Sequence, residues 1–85
     1  MTDHPTDFTG SVEEAIRSSV TDRIADAVVS VSGGGGHYRI DVISAVFAGK
    51  SLLESQRLVL SAIKHLLAGD RAPVHAVDAL TTRTP

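Results

Sequence analysis

Gly33-Gly34-Gly35-Gly36-His37-Tyr38-Arg39-Ile40-Asp41-Val42-Ile43-Ser44, taken with Val74-His75-Ala76-Val77, decides the fold of this 85-residue chain. In the first stretch Tyr38, Ile40 and Val42 alternate with Arg39 and Asp41, the two-residue period of a strand with one apolar face. Just upstream, Ala27-Val28-Val29-Ser30-Val31 is β-branched and predicts another strand. The intervening glycines, Gly33, Gly34, Gly35 and Gly36, read as a flexible hairpin connection, which makes the two strands antiparallel. Pro73 blocks any helix that precedes it, and Val74 to Leu80 predicts a short third strand.

Working outward from the strands, helical periodicity appears twice. Ser11 followed by Glu14 has the spacing of a capping box, and Val12, Ala15, Ile16, Val20 and Ile24 recur at helical intervals. A helix over Val12 to about Arg23 follows. Ser51 and Glu54 repeat the capping spacing before Leu52 and Leu53, and apolar positions 52/53, 59/60, 63 and 66/67 hold one face. These predict a dominant helix of about four turns, with Gly69 placed as its C-terminal cap. The order is therefore α-β-β-α-β, one α+β domain over residues 11–85 behind a polar, flexible tail of residues 1–10.

That order has a consequence for the histidines. A helix-length crossover lets strands two and three run parallel, with the right-handed connection strongly favoured. His37 and His75 then open parallel strands at one end of a three-stranded mixed sheet. Neighbouring strands lie about 4.8 Å apart, so two imidazoles there come within reach of one ligand. The chain has no cysteine, and these imidazoles are its best candidates for a soft-metal site.

Composition narrows the rest. An apolar content of 42% indicates a globular chain, and 4% aromatic residues an aliphatic core. Zero cysteines exclude disulfides, zinc ribbons and thiol chemistry. A net charge of −2 argues against a strong nonspecific grip on phosphate backbones. No apolar run reaches the roughly 18 residues of a membrane span, and no signal-peptide pattern opens the chain, so a cytoplasmic location is expected. Gly49-Lys50-Ser51 resembles the end of a phosphate-binding loop, but Ser44 stands where its first glycine belongs. Serines are plentiful, yet no nucleophile-elbow motif accompanies them, and the expectation is a protein that is not an enzyme. Lys50, Arg57 and Lys64, spaced by seven, form a basic stripe on the long helix that either faces solvent or contacts phosphates or an acidic partner.

Taken together, His37-Tyr38-Arg39, Val42-Ile43-Ser44, Phe47-Ala48-Gly49-Lys50-Ser51, Gln56-Arg57-Leu58-Val59 and Val74-His75-Ala76 make the chain resemble the BolA family over about residues 12–82. Gln56-Arg57 is similar to the IbaG (YrbA) branch, where many other members carry His-Arg. The resemblance implies a fold similar to type II KH domains without their GXXG loop, with the helices on one face of the sheet. It also implies a monothiol glutaredoxin partner, with which a 2Fe–2S cluster is shared alongside glutathione, the isolated protein lacking the cluster. His75 falls on the family's C-terminal histidine and takes the ligand role from it. The family's second ligand lies in the loop between strands one and two, which here is Ser32 and four glycines; either His37 substitutes or His75 ligates alone. DNA binding by a stress-response regulator is the alternative function the resemblance implies. Free of its partner, the protein is expected to be a monomer or weak homodimer.

Overall fold

The computed structural model describes residues 11–85; the tail expected over residues 1–10 lies outside them. Helix α1 (Val12–Arg23) leads into β1 (Val28–Gly34) and β2 (His37–Ile43). A 3-10 turn (Ala45–Phe47) then precedes α2 (Leu52–Ala62), a single-turn α3 (Lys64–Leu67) and β3 (Ala76–Arg83). The sheet order is β1-β2-β3, with β1 antiparallel and β3 parallel to the central β2. This is the mixed three-stranded α+β topology that the strand and helix periods predicted.

Alternation in β2 builds the two faces. Tyr38, Ile40 and Val42 are buried, whereas His37 and Arg39 are exposed. Against the buried face pack Ile16, Val20 and Ile24 from one side and Val59, Ala62, Ile63 and Leu66 from the other, in one aliphatic core. Helix α1 packs on β1, α2 packs on β3, and the helices meet each other. Each buried aliphatic side chain contributes about 1.5–3 kcal/mol of burial free energy, so this face holds the domain together. Among the described residues, the opposite face carries no helix.

Both caps form, but differently. Ser51 and Glu54 make the full box: Ser51 Oγ accepts from the Glu54 amide at 3.1 Å, and Glu54 Oε1 accepts from the Ser51 amide at 3.0 Å. The Ser51 amide first, and then the nearby Ser51 side chain, hold the Glu54 carboxyl below its ordinary range. At α1 only half the box is made. Ser11 Oγ accepts from the Glu14 amide at 3.2 Å, while Glu14 Oε1 accepts from Arg17 at 2.8 Å.

Three boundaries depart from the sequence reading. The dominant helix is broken at Ile63 (φ −109°, ψ 12°), whose amide bonds the Leu60 carbonyl one residue short of the helical partner. The Leu66 carbonyl accepts from the Val74 amide at 3.0 Å, which ties the last helical turn to the returning chain. Gly69 does take the left-handed conformation of a cap (φ +89°), immediately after Ala68 closes α3. The third strand runs over Ala76–Arg83 rather than 74–80, because β2 continues to offer partners as far as Ile43 opposite Arg83. Finally, the four glycines are not a loop. Gly33 and Gly34 belong to β1, and only Gly35-Gly36 turn, both with positive φ as a two-residue hairpin requires.

A polar lock at the far end of the sheet joins the α1–β1 connection to the turn that follows β2. Ser44 is fully buried and donates to Asp26 Oδ1 at 2.5 Å, while the Ala45 amide donates to Asp26 Oδ2 at 3.0 Å. These bonds, Ser44 first, lower the Asp26 pKa below its ordinary value. Each edge strand also takes one bond from a helix side chain: Arg17 Nε donates to the Val29 carbonyl at 3.3 Å, and Gln56 Nε2 to the Leu80 carbonyl at 3.1 Å.

Candidate metal centre

His37 opens β2 and is paired on one side with Gly34 and on the other with Ala76. His75 immediately precedes β3. The Gly36 carbonyl accepts from both the His75 amide (2.7 Å) and the Ala76 amide (2.9 Å), so the hairpin turn itself holds the chain at His75. The approach is close. A Cβ built on Gly36 would stand 3.0 Å from the His75 Cβ, and Gly36 has φ +86°. Only glycine fits this junction without strain.

The outcome is the juxtaposition that the topology predicted. The two imidazole centroids are 5.5 Å apart, the rings tilted by 57°, at one end of the sheet and exposed to solvent. His75 sits just outside β3 rather than opening it, which changes how it is held but not where it is.

One participant was missed by the sequence reading. Asp78 Oδ1 lies 3.2 Å from His37 Nδ1, and both side chains are about half exposed. A register shift between Tyr38 and Arg39 pairs Tyr38 with Val77 but Arg39 with Ala79, leaving Asp78 as an extra residue in a bulge beside His37. With Nδ1 so engaged, Nε2 is the imidazole nitrogen of His37 left for a metal.

The site supplies two nitrogens and no more. Among the described residues no group of three or more histidine, aspartate, glutamate or cysteine side chains is arranged to hold a metal ion. A transition-metal centre ordinarily requires about four ligands. Chemically, two imidazoles on an accessible surface could supply at most half of such a set.

The basic residues are not gathered on one helix. Lys50 lies before the Ser51 cap, Arg57 is within α2, and Lys64 opens α3 beyond the break at Ile63. All three are exposed. Glu54 stands between the first two, and the Lys50 charge contributes to lowering its pKa after the bonds to Ser51 and against the effect of burial. Among the described residues no helix is long and apolar enough to cross a membrane.

Comparison with known proteins gives one consistent match. The family described as BolA-like protein matches residues 13–85. The chain is 37% identical to human BolA-like protein 1, covering 89% of this chain and 60% of that protein. It is 30% identical to Protein BOLA2 of Arabidopsis thaliana, over 86% of this chain and 78% of that one. The chain thus spans about three-fifths of the length of the mammalian relatives. Among solved structures, mouse BolA1 superposes with a TM-score of 0.70 at 38% identity, covering 91% of this chain and 68% of that chain. A bolA homologue from Coxiella burnetii gives 0.72 at 26% identity, over 89% and 94% of the two chains.

Proposed function

The chain belongs to the BolA family, and from that premise we propose that it is a non-enzymatic iron–sulfur adaptor that binds a monothiol glutaredoxin and helps ligate or transfer a bridging 2Fe–2S cluster. The observation that carries this reading is the exposed His37–His75 pair, 5.5 Å apart, with no group of three or more metal-holding side chains among the described residues. A 2Fe–2S cluster takes four protein-type ligands, and sets of two histidines with two thiolates are chemically established. Two imidazoles from this chain, one partner cysteine and one glutathione thiolate complete such a set. When bound, a cluster of this kind supplies a one-electron couple whose potential histidine raises relative to thiolate ligation.

The chain's own contribution is positional. The Gly36 carbonyl anchors the His75 backbone through two amides, and strand pairing anchors the backbone of His37, so the two residues from which the imidazoles extend are held side by side. Their exposure leaves room for a second protein to approach. The isolated chain is expected to stay a monomer or weak homodimer.

The test is reconstitution with a glutathione-loaded monothiol glutaredoxin, read by visible absorption and circular dichroism. His75→Ala should remove the histidine-dependent part of the mixed spectrum while the far-ultraviolet signal shows an intact fold. His37→Ala should have a smaller effect. A His75→Ala protein whose mixed cluster has an unchanged spectrum and lifetime would falsify the adaptor reading.

A further inference from the structure

The geometry points to Asp78 as a positioning residue that fixes the tautomer of His37 and thereby presents Nε2 outward as the ligand atom, an inference that rests on the reading of His37 as a metal ligand. The starting point is the strand bulge. Without it, Asp78 would pair with Arg39; with it, Ala79 takes that place. Leu80 falls opposite Ile40, where it packs against the core, and Asp78 is released from the ladder to meet His37. The bulge therefore does two things: it restores the apolar alternation of β3 and re-aims one carboxylate.

The chemistry follows from what each group can give. An ionised carboxylate only accepts hydrogen bonds, whereas a neutral imidazole has one donor nitrogen and one acceptor nitrogen. With Asp78 Oδ1 at 3.2 Å from Nδ1, neutral His37 carries its hydrogen on Nδ1 and its lone pair on Nε2. Nε2 is the ring atom farther from the backbone, and the one able to reach a metal held partly by another protein. In water the free imidazole of histidine prefers the opposite tautomer, with hydrogen on Nε2, so the aspartate has a preference to overturn.

The other carboxylate on this face does not compete. Asp41 is engaged by the Thr81 hydroxyl and by Arg83 at 3.4 Å. Among the described residues, the structure gives His75 no comparable carboxylate contact, so the effect is specific to one member of the pair.

The test uses the full chain with histidines labelled with nitrogen-15, first without metal and at a pH where both imidazoles are neutral. Long-range nitrogen–proton correlations should show His37 as the Nδ1–H tautomer in the wild type. Asp78→Ala should move it towards Nε2–H and leave His75 unchanged. Asp78→Asn, whose side-chain carbonyl still accepts from Nδ1–H, should largely rescue the tautomer. In the reconstituted glutaredoxin mixture Asp78→Ala should shorten the cluster lifetime about tenfold, the lower end of the range for lost outer-shell partners. Wild-type His37 in the Nε2–H form overturns the proposal, as does an unchanged lifetime despite a switched tautomer. The metal-free tautomer measurement is independent of cluster chemistry, so a failed adaptor reading and a failed Asp78 role give different results.

Discussion

Replacing Gly33 by alanine should be the most damaging single-atom-group change in the hairpin, although its neighbour Gly34 should accept the same change freely. Gly33 has φ +120°, and a Cβ there would lie deep inside contact distance of the His37 carbonyl oxygen and 3.0 Å from the Tyr38 Cα. Both are backbone atoms of the paired strand and cannot rotate away. The left-handed conformation costs an L-residue about 1–2 kcal/mol. Relieving an overpacked contact by backbone displacement adds about 1–3 kcal/mol, for a total of roughly 2–5 kcal/mol. Gly34 has ordinary φ and nothing within 4 Å of an added Cβ. Alanine there should be neutral or stabilise by up to about 1 kcal/mol through the unfolded chain. Gly36→Ala should fall between them, costing about 1–2 kcal/mol for its positive φ, plus the displacement of His75. Urea unfolding followed by far-ultraviolet circular dichroism measures all three. For a domain this small each kcal/mol moves the melting temperature by roughly 4–8 °C, so the order is resolvable thermally as well. Equal stabilities for the Gly33 and Gly34 variants would refute the hairpin geometry.

Gly34→Cys tests the ligand set directly: Gly34 pairs with His37 across the hairpin, so a thiolate there shares its face, with Cβ atoms about 4.5–5.5 Å apart. The mixed cluster should persist longer, and an unchanged decay of its visible dichroism would count against the shared site. Asp26→Asn addresses the polar lock. Because bonds from Ser44 and Ala45 depress the Asp26 pKa, its contribution is full above the unfolded value of about 3.9 and disappears as pH falls through the folded value. The wild type should therefore exceed the variant in urea midpoint at neutral pH, with the gap closing in acid; a gap constant with pH would contradict the assignment. For the alternative DNA-binding role, Lys50, Arg57 and Lys64 are spread over a loop and two helices, and no measurable affinity for DNA is expected at physiological salt. A submicromolar complex whose salt slope flattens by about three counterions when all three become alanine would reverse that ranking.

What could be read in the chain, and what could not, divides along the range of the interactions involved. Alternation through Tyr38, Ile40 and Val42, and the capping pairs at Ser11 and Ser51, are local signals, and they locate the strand faces and helix starts within a residue or two. The proximity of His37 and His75 was legible for a further reason: connection length and handedness restrict how a strand–helix–strand unit closes. The helix break at Ile63 was hidden because 59, 62, 63 and 66 keep the helical period across it; it shows only in the Ile63 amide bonding the Leu60 carbonyl, a detail that periodicity does not carry. The four glycines looked equivalent as composition, yet pairing to Tyr38 and His37 makes two of them strand residues and gives Gly33 and Gly34 opposite tolerances. Asp78 was the hardest to see. Strict alternation from Ala76 would set it opposite Arg39 as an ordinary surface acid, whereas the bulge brings Leu80 opposite Ile40 at the core and leaves Asp78 against His37. The register shift that sets the core face of β3 thus also places a carboxylate against the imidazole on the other face. A periodicity argument confined to a single strand contains no information of that kind, because the shift exists only in the pairing of two.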